Sequence, residues 1–333
     1  MSTIREVSEA AGVSISTVSR VLNRSGPVSR RAQERVLAAV EQLGYYPNAF
    51  ARGLVTKRSG GIGATVTDLS DPFFGLMLKG IEERVERAGM HLIVTDGHGQ
   101  VHAERESLAF LTRHHADAII AYLQQVPDAD IARWARPERP VVVVARRVPG
   151  IGPFCLFIDN VLGGDLATRH LIAMGHQQIA HISGPMALVD GRDRLEGYRA
   201  ALHNAGLEYD PQRVVEADFT PEGGAAAMIR LLERDVAFTA LFAGNDQMAA
   251  GAMDVLRTRG WQIPGDVSVV GFDDLPMVRY LYAPLTTVRQ PILEMGRAAA
   301  DLALAALRGE EVEVSRGFEP ELVVRHSVKR MTP

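Results

Sequence analysis

The chain carries one cysteine among its 333 residues, so no disulfide can form within it. Cys155 sits in an apolar run, FCLFI, and reads as a small core residue of a reduced protein rather than a nucleophile. No stretch of eighteen apolar residues occurs, so no membrane-crossing helix is expected. The opening residues, MSTIREVSEA, lack the apolar core of an export signal and predict a cytoplasmic protein. There is no short internal repeat and no low-complexity tract. Enzyme signatures are missing as well. His114, His115, His170, His176 and His181 show no zinc-ligand spacing, and no Gly-x-Ser-x-Gly elbow appears. No phosphate loop of the GKS or GKT type is present. GGIGAT begins like a dinucleotide loop, but Val66 stands where its third glycine is needed. Catalytic residues, a metal and a cofactor are all unexpected.

Charge is unevenly placed. Residues 1–60 hold nine Lys and Arg against four Asp and Glu, a charge of +5. The other 273 residues hold 27 against 36, a charge of −9. A basic head on an acidic body suits a nucleic-acid-binding module joined to something that does not touch nucleic acid. The length calls for two or three folding units.

The head has a specific local grammar. In TIREVSEAAGVSISTVSRVLN, Thr3 and Glu6 form a capping box that starts a helix. Ala10 and Ala11 permit close helix crossing, and Gly12 supplies the left-handed residue that stops the helix. Ser14 caps a second helix whose Val18, Val21 and Leu22 face inward. Ile15, Ser16, Thr17, Ser19, Arg20 and Asn23 remain outward. Such a unit cannot bury a core alone, yet it is the right size to lay one helix in a DNA major groove. A third helix is expected at about 29–43, capped by Ser29. Ala32, Val36, Val40 and Leu43 form its buried stripe, and Gly44 ends it. Pro47 then breaks the chain, and Asn48 can cap a helix reaching about Val55. That helix is too short to hold alone in water.

These strings resemble the lactose/galactose repressor (LacI/GalR) family. AGVSISTVSRVLN and VSRRAQERVLAAVEQLGYYPNAFARGL carry the likeness at the start; GNDQMAAGAM, VSVVGFDDLP and PLTTVRQP carry it later, in the right order. RRVPG, CLFIDN and LVVRHSV look most like the galactose-repressor branch and point to a hexose or related sugar. The resemblance implies a homodimeric transcriptional regulator, most simply a repressor. It would bind near-palindromic double-stranded operator DNA under the control of a small sugar-like effector. Thr3, Ser14, Ile15, Ser16, Thr17, Arg20 and Asn23 would meet DNA. From the hinge segment Asn48, Arg52 and Leu54 would join them, Leu54 as the wedge between central base pairs. The chain ends without a leucine heptad tail, so the tetramer-forming device of some relatives is not expected.

Beyond residue 60, apolar strand-like runs alternate with helical stretches: GIGATVTDL, HLIVTDG, ADAIIAYL, PVVVVAR, CLFID, IAHISG, ALFAGND and VSVVGFDD. Such alternation means buried parallel sheets. Ten or eleven strands are expected, too many for one compact sheet, with a boundary near FIDN and PLTTVRQP as a return crossing. The resemblance makes this body similar to type I periplasmic sugar-binding proteins: two doubly wound subdomains joined by three crossings. The expected organisation is a helix-turn-helix head at 1–47 and a hinge at 48–60. One core subdomain would comprise 61–160 with 291–318, the other 161–290 with 319–330.

Ligands in such sheets sit at the carboxyl ends of strands. Phe73 and Phe74 could pack the start of a helix or offer a stacking face to a sugar. Arg194 could make a surface ion pair or fork onto hydroxyls. Asp246 is partly explained as a helix cap. By resemblance Arg194, Phe219, Asn245 and Asp273 are the leading effector contacts, followed by Asp71, Phe73, Phe74, Arg146 and Asp246. One departure stands out: Ala145 occupies a position where many relatives carry an acidic or amide residue. Alternatives are a non-sugar corepressor such as a purine, or a cytosolic sugar-binding protein or enzyme. Duplex DNA binding with a steep salt dependence separates a regulator from the last two.

Overall fold

A computed structural model describes residues 2–23, 25–45, 59–311 and 316–331. The chain divides into two compact units, 1–61 and 62–333. The first contains helices α1 (Ile4–Ala11), α2 (Ile15–Asn23) and α3 (Arg30–Gln42). Each starts where a side chain meets an orphan backbone N–H. The Thr3 hydroxyl accepts from the Glu6 amide at 3.3 Å, and the Glu6 carboxylate accepts from the Thr3 amide at 2.8 Å. Ser14 accepts from the Thr17 amide and Ser29 from the Ala32 amide. Gly12 adopts φ 59° and ends α1. Val7, Ala11, Val18, Val21, Val36 and Ala39 close a small core. Two expectations shift by one residue. Ala10 is exposed, so Ala11 alone serves the crossing. Ala39 is buried while Val40 is half-buried, because the inward stripe of α3 drifts round its axis.

The second unit holds two six-stranded sheets. The first contains β1 (Gly61–Val66), β2 (His91–Asp96), β3 (Ala118–Tyr122), β4 (Val141–Val144), β5 (Cys155–Ile158) and β11 (Arg316–Phe318), in the order β11-β5-β4-β3-β1-β2. The second contains β6 (Ile179–Ser183), β7 (Val214–Glu216), β8 (Ala240–Ala243), β9 (Ser268–Asp273), β10 (Thr286–Arg289) and β12 (Glu321–Val323), in the order β12-β10-β9-β8-β6-β7. β12 runs antiparallel to β10, and the other pairings of this sheet are parallel. The central strands are buried along their whole length, as helices on both faces require. Among the described residues twelve strands form, above the expected ten or eleven; β7, β11 and β12 are three residues each, too short for a visible apolar pattern.

Both sheets wind in the same sense: two strands on one side, then a jump to the other. The switch points fall between β1 and β3 and between β6 and β8. The chain passes between sheets after β5, after β10 and between β11 and β12. The helices of this unit are α4 (Pro72–Arg87), α5 (Val101–Arg113), α6 (Asp128–Trp134), α7 (Asn160–Ala173), α8 (Val189–Asn204), α9 (Pro221–Glu233), α10 (Asp246–Thr258) and α11 (Ile292–Arg308). α7 and α8 pack backbone to backbone. A β-carbon on Gly164 would strike the Arg194 carbonyl, and one on Gly197 would strike the Val161 carbonyl. This contact sets the depth at which α8 presents its side chains. Among the described residues no helix is long and apolar enough to cross a membrane.

A buried histidine makes the second sheet acid-sensitive. His181 on β6 is fully buried, stacks between Tyr198 and Phe242, and pairs through Nδ1 with the Phe242 carbonyl at 2.9 Å. Its Nε2 has no hydrogen-bond partner. Burial pushes its pKa down from 6.5 to about 4. The folded state therefore holds it neutral while the unfolded chain protonates it near 6.5. Its contribution is complete above that pH and fades as the pH falls toward 4. The lost stability is ~3 kcal/mol. In urea melts, His181→Phe should be less stable than the parent at pH 7, and the gap should narrow by about that amount near pH 4. A gap constant with pH would show that His181 does not titrate in this window.

Candidate functional site

The exposed face of α2 is short and chemically uniform. The Ser14 hydroxyl lies 2.7 Å from that of Ser16 and 2.9 Å from that of Thr17, a knot of hydroxyls at the helix start. Ile15 is 45% exposed, with no core to join. Arg20 projects outward, while Val18 and Val21, its neighbours on the inner face, are buried. Short hydroxyls, one apolar contact and one long cation are what a helix needs to enter a major groove and reach base edges. Thr3 is exposed but spends its hydroxyl on its cap. The Asn23 side chain, and Asn48, Arg52 and Leu54, lie outside the described residues.

In the second unit, the carboxyl ends of strands from both sheets open onto one cleft. Asp71, Phe73, Phe74, Arg194, Phe219, Asn245 and Asp273 line a common cavity of about 540 Å³. Seven of the nine expected effector residues are thereby brought together. Phe73 and Phe74 meet edge to face, with Tyr122 completing the group at centroid distances of 5.9 and 4.9 Å. Phe219 sits at φ 69° and Asp273 at φ 115°, conformations that side chains rarely adopt. Such strain persists only where the surrounding structure holds it, and it gathers at binding sites.

Arg194 is 4% exposed. Its Nε donates to Asn160 Oδ1 at 2.9 Å and its Nη1 to the Gly244 carbonyl at 2.5 Å. Nη1 also lies 3.9 Å from the Asp273 carboxylate, and the guanidinium stacks 3.8 Å from the Phe272 ring. Asp190, one helical turn before Arg194, accepts from Asn160 Nδ2 at 2.9 Å and from the Tyr122 hydroxyl at 3.0 Å. The Tyr122–Asp190 bond spans the cleft from β3 to α8. Asp273 accepts from Gln290 at 2.6 Å. Burial raises its pKa; Arg194 opposes that shift, and the Asp71 and Asp190 charges reinforce it. Burial likewise raises Asp71, which caps α4 through the Phe73 amide and is hydrogen-bonded by Gln247. Asn245 caps α10 through the Met248 amide and donates to the Phe219 carbonyl, holding the strained Phe219 backbone.

Two expected contacts fall away. Asp246 is fully buried and does not line the cleft. Its carboxylate accepts from the Leu275 amide and the Thr287 hydroxyl, stapling α10 to the second sheet. The cap is Asn245, one residue earlier, and the first turn of the helix rotates the next side chain into the core. Arg146 is spent on its neighbours: it donates to the Leu123 and Val126 carbonyls and pairs with Asp128. It braces the loop after β3 and lines a separate recess. Tyr122, Asn160, Asp190 and Gln290 were not anticipated. Tyr122 and Gln290 end or follow strands, so the strand-end rule applied evenly would have found them. Asn160 and Asp190 needed the crossing and the start of α8 to be placed first.

The profile for bacterial regulatory proteins, lacI family, matches residues 3–48, and that for the periplasmic binding protein-like domain matches residues 168–328. The HTH-type transcriptional regulator GalR of Escherichia coli (strain K12) is 40% identical over 329 residues, covering 98% of this chain and 96% of its own. The fold is similar to a crystal structure of the lac repressor dimer bound to operator and the anti-inducer ONPF. That likeness has a TM-score of 0.88 at 29% identity and covers 98% and 99% of the two chains. A structure of the regulator CelR with cellobiose is 34% identical, with a TM-score of 0.72 and coverage of 98% and 100%. The chain belongs to the lacI family of bacterial regulatory proteins and is a DNA-binding transcriptional regulator, not an enzyme.

Proposed function

We propose that this regulator is a cytoplasmic repressor that binds operator DNA as a homodimer and answers to a neutral sugar. The observation that carries the sugar reading is the charge of the cleft. Among the described residues that line it, Asp68, Asp71, Asp190, Asp218, Glu222 and Asp273 stand against Arg194 as the one arginine. A phosphorylated sugar or a nucleotide would meet net repulsion there. A polyol offers hydroxyl donors to the carboxylates and an apolar ring face to Phe73 and Phe219. CelR, similar over nearly the whole chain, binds cellobiose in a related structure.

The head at 1–47 supplies base reading and the segment 48–60 the hinge. Two hinge helices pairing in the minor groove would stabilise each other, with Leu54 wedged between base steps. The core subdomains, 61–160 with 291–318 and 161–290 with 319–330, close on the effector and change the spacing of the two hinges. An effector shifts DNA affinity only by its preference for one of the two arrangements. The test is fluorescence anisotropy of the full chain on a duplex selected from a random pool. Neutral hexoses and disaccharides, sugar phosphates and purines are each added in turn. A neutral sugar should change DNA affinity by about 5- to 150-fold. A response confined to purines or phosphates would replace the sugar reading.

A further inference from the structure

The first sheet carries a basic recess at the edge away from the cleft. β1, β3 and β4 run parallel, so their amino ends share the edge opposite the strand ends that open onto the cleft. α5 and α6 both finish at that amino edge, shortly before β3 and β4 begin. Thr112 of α5, Arg133 and Trp134 of α6, and Arg136 and Arg139 of the turn that follows line a cavity of about 420 Å³. That volume falls within the ~300–1,000 Å³ of small-molecule sites. Among the described residues that line it there is no carboxylate.

The arginines are fixed from the backbone outward. Arg136 and Arg139 exchange two backbone hydrogen bonds, 3.1 and 3.0 Å long, as a directly opposed antiparallel pair. Such a pair points its side chains to one face, and like charges so placed repel. Neither forms an ion pair among the described residues, and Arg133 has only a share of Asp130, which also pairs with Arg105. Arg139 Nε is shielded from water and has no hydrogen-bond partner; a terminal nitrogen of the group reaches the Trp134 carbonyl at 3.5 Å. Burial, and then the Arg136 charge, push the pKa of Arg139 down. Trp134 packs against the apolar cluster that includes Leu111, Ile131 and Val141, which anchors its ring at the recess wall.

Within the protein this arrangement costs stability, because the cations repel and one of them is partly desolvated. A bound anion reverses both effects. Guanidinium forks match phosphate oxygens, and an indole suits a ring or carbon body attached to them. A phosphate monoester carries about −1.5 to −2 charges at neutral pH and so answers two arginines, where a carboxylate answers one. We propose that this recess binds the phosphate monoester of a small molecule, with Arg136 and Arg139 on the phosphate and Trp134 against the organic body. The site is separate from the cleft and stands or falls independently of the sugar reading.

Calorimetry on the full chain at fixed ionic strength compares a hexose phosphate, a nucleoside monophosphate, inorganic phosphate and a hexuronate. At least one monoester should bind with a Kd below ~1 mM, about tenfold or more tighter than inorganic phosphate or the hexuronate. Arg136→Gln should weaken that binding by about tenfold or more. Because it removes a repulsion, the same variant should melt no lower than the parent in chloride buffer. Trp134→Leu should bring the monoester down to the affinity of inorganic phosphate. No monoester binding in that range, or unaltered affinity in Arg136→Gln, overturns the site. Equal affinity of the parent for monoester and inorganic phosphate overturns the role of Trp134. If no monoester binds and Arg136→Gln instead weakens binding to unrelated duplex with a shallower salt slope, the arginines serve nucleic-acid phosphates and the proposal falls.

Discussion

Asp273→Ala will abolish the effector response while operator binding persists. Asp273 is 4% exposed, ends β9 at the cleft floor and holds Gln290 on one oxygen. The rest of the carboxylate faces the cavity that Arg194 and Asn245 share. Hydrogen bonds to a charged partner contribute about 1.5–3 kcal/mol each. Loss of two hydroxyl contacts therefore costs on the order of 100-fold or more in effector affinity. A site built to pair hydroxyls also leaves its remaining polar groups unmatched once one partner is gone. Asp273→Asn keeps the shape and the Gln290 contact and should fall between parent and alanine. Calorimetry with the responding sugar, beside anisotropy on the operator, separates the two activities. Effector binding at parental affinity in Asp273→Ala would move the pocket elsewhere. If the ligand is an inducer, the variant is a permanent repressor. Arg194→Ala is the poorer probe. Removing a buried guanidinium strands Asn160, the Gly244 carbonyl and Asp273 together, so lost folding would be confused with lost binding.

Arg20→Ala should remove sequence preference without removing DNA binding. Arg20 leaves the exposed side of α2 near its last turn, long enough to fork onto a guanine edge. Such a contact contributes about 1–3 kcal/mol per half-site. A symmetric dimer makes it twice, so operator affinity should drop by about 30- to 10⁴-fold. Binding to unrelated duplex should change little, and the dependence on salt should keep its slope, because no phosphate contact is lost. Competition anisotropy at several salt concentrations measures both quantities. Uniform weakening on every sequence with a shallower salt slope would mark Arg20 as a phosphate contact instead.

What was legible in the sequence was local. Thr3 with Glu6, Gly12, Ser14 and Ser29 each act within three or four residues of themselves, so the three helices of the head could be read before any packing was known. The strands announced themselves because burial on both faces demands unbroken apolar runs; the rule that ligands sit at strand ends said where to look, and the family resemblance then pointed to most of the residues that line the cleft. Three-residue strands such as β7, β11 and β12 carry too little pattern to be seen this way.

Tertiary structure alone decided which polar side chains face the cleft. Asn245 and Asp246 are adjacent, yet one helical step sends the first to the cleft and the second into the sheet. Arg146 looked like a ligand contact until the loop after β3 was in place to consume its donors. Tyr122 and Asp190 are 68 residues apart and meet only when two sheets wound in the same order face each other. A capping bond is specified by neighbours along the chain. A bond across a cleft is specified by the packing of two sheets, and in this protein the packing of α7 on α8 through Gly164 and Gly197 sets where Asp190 and Arg194 arrive.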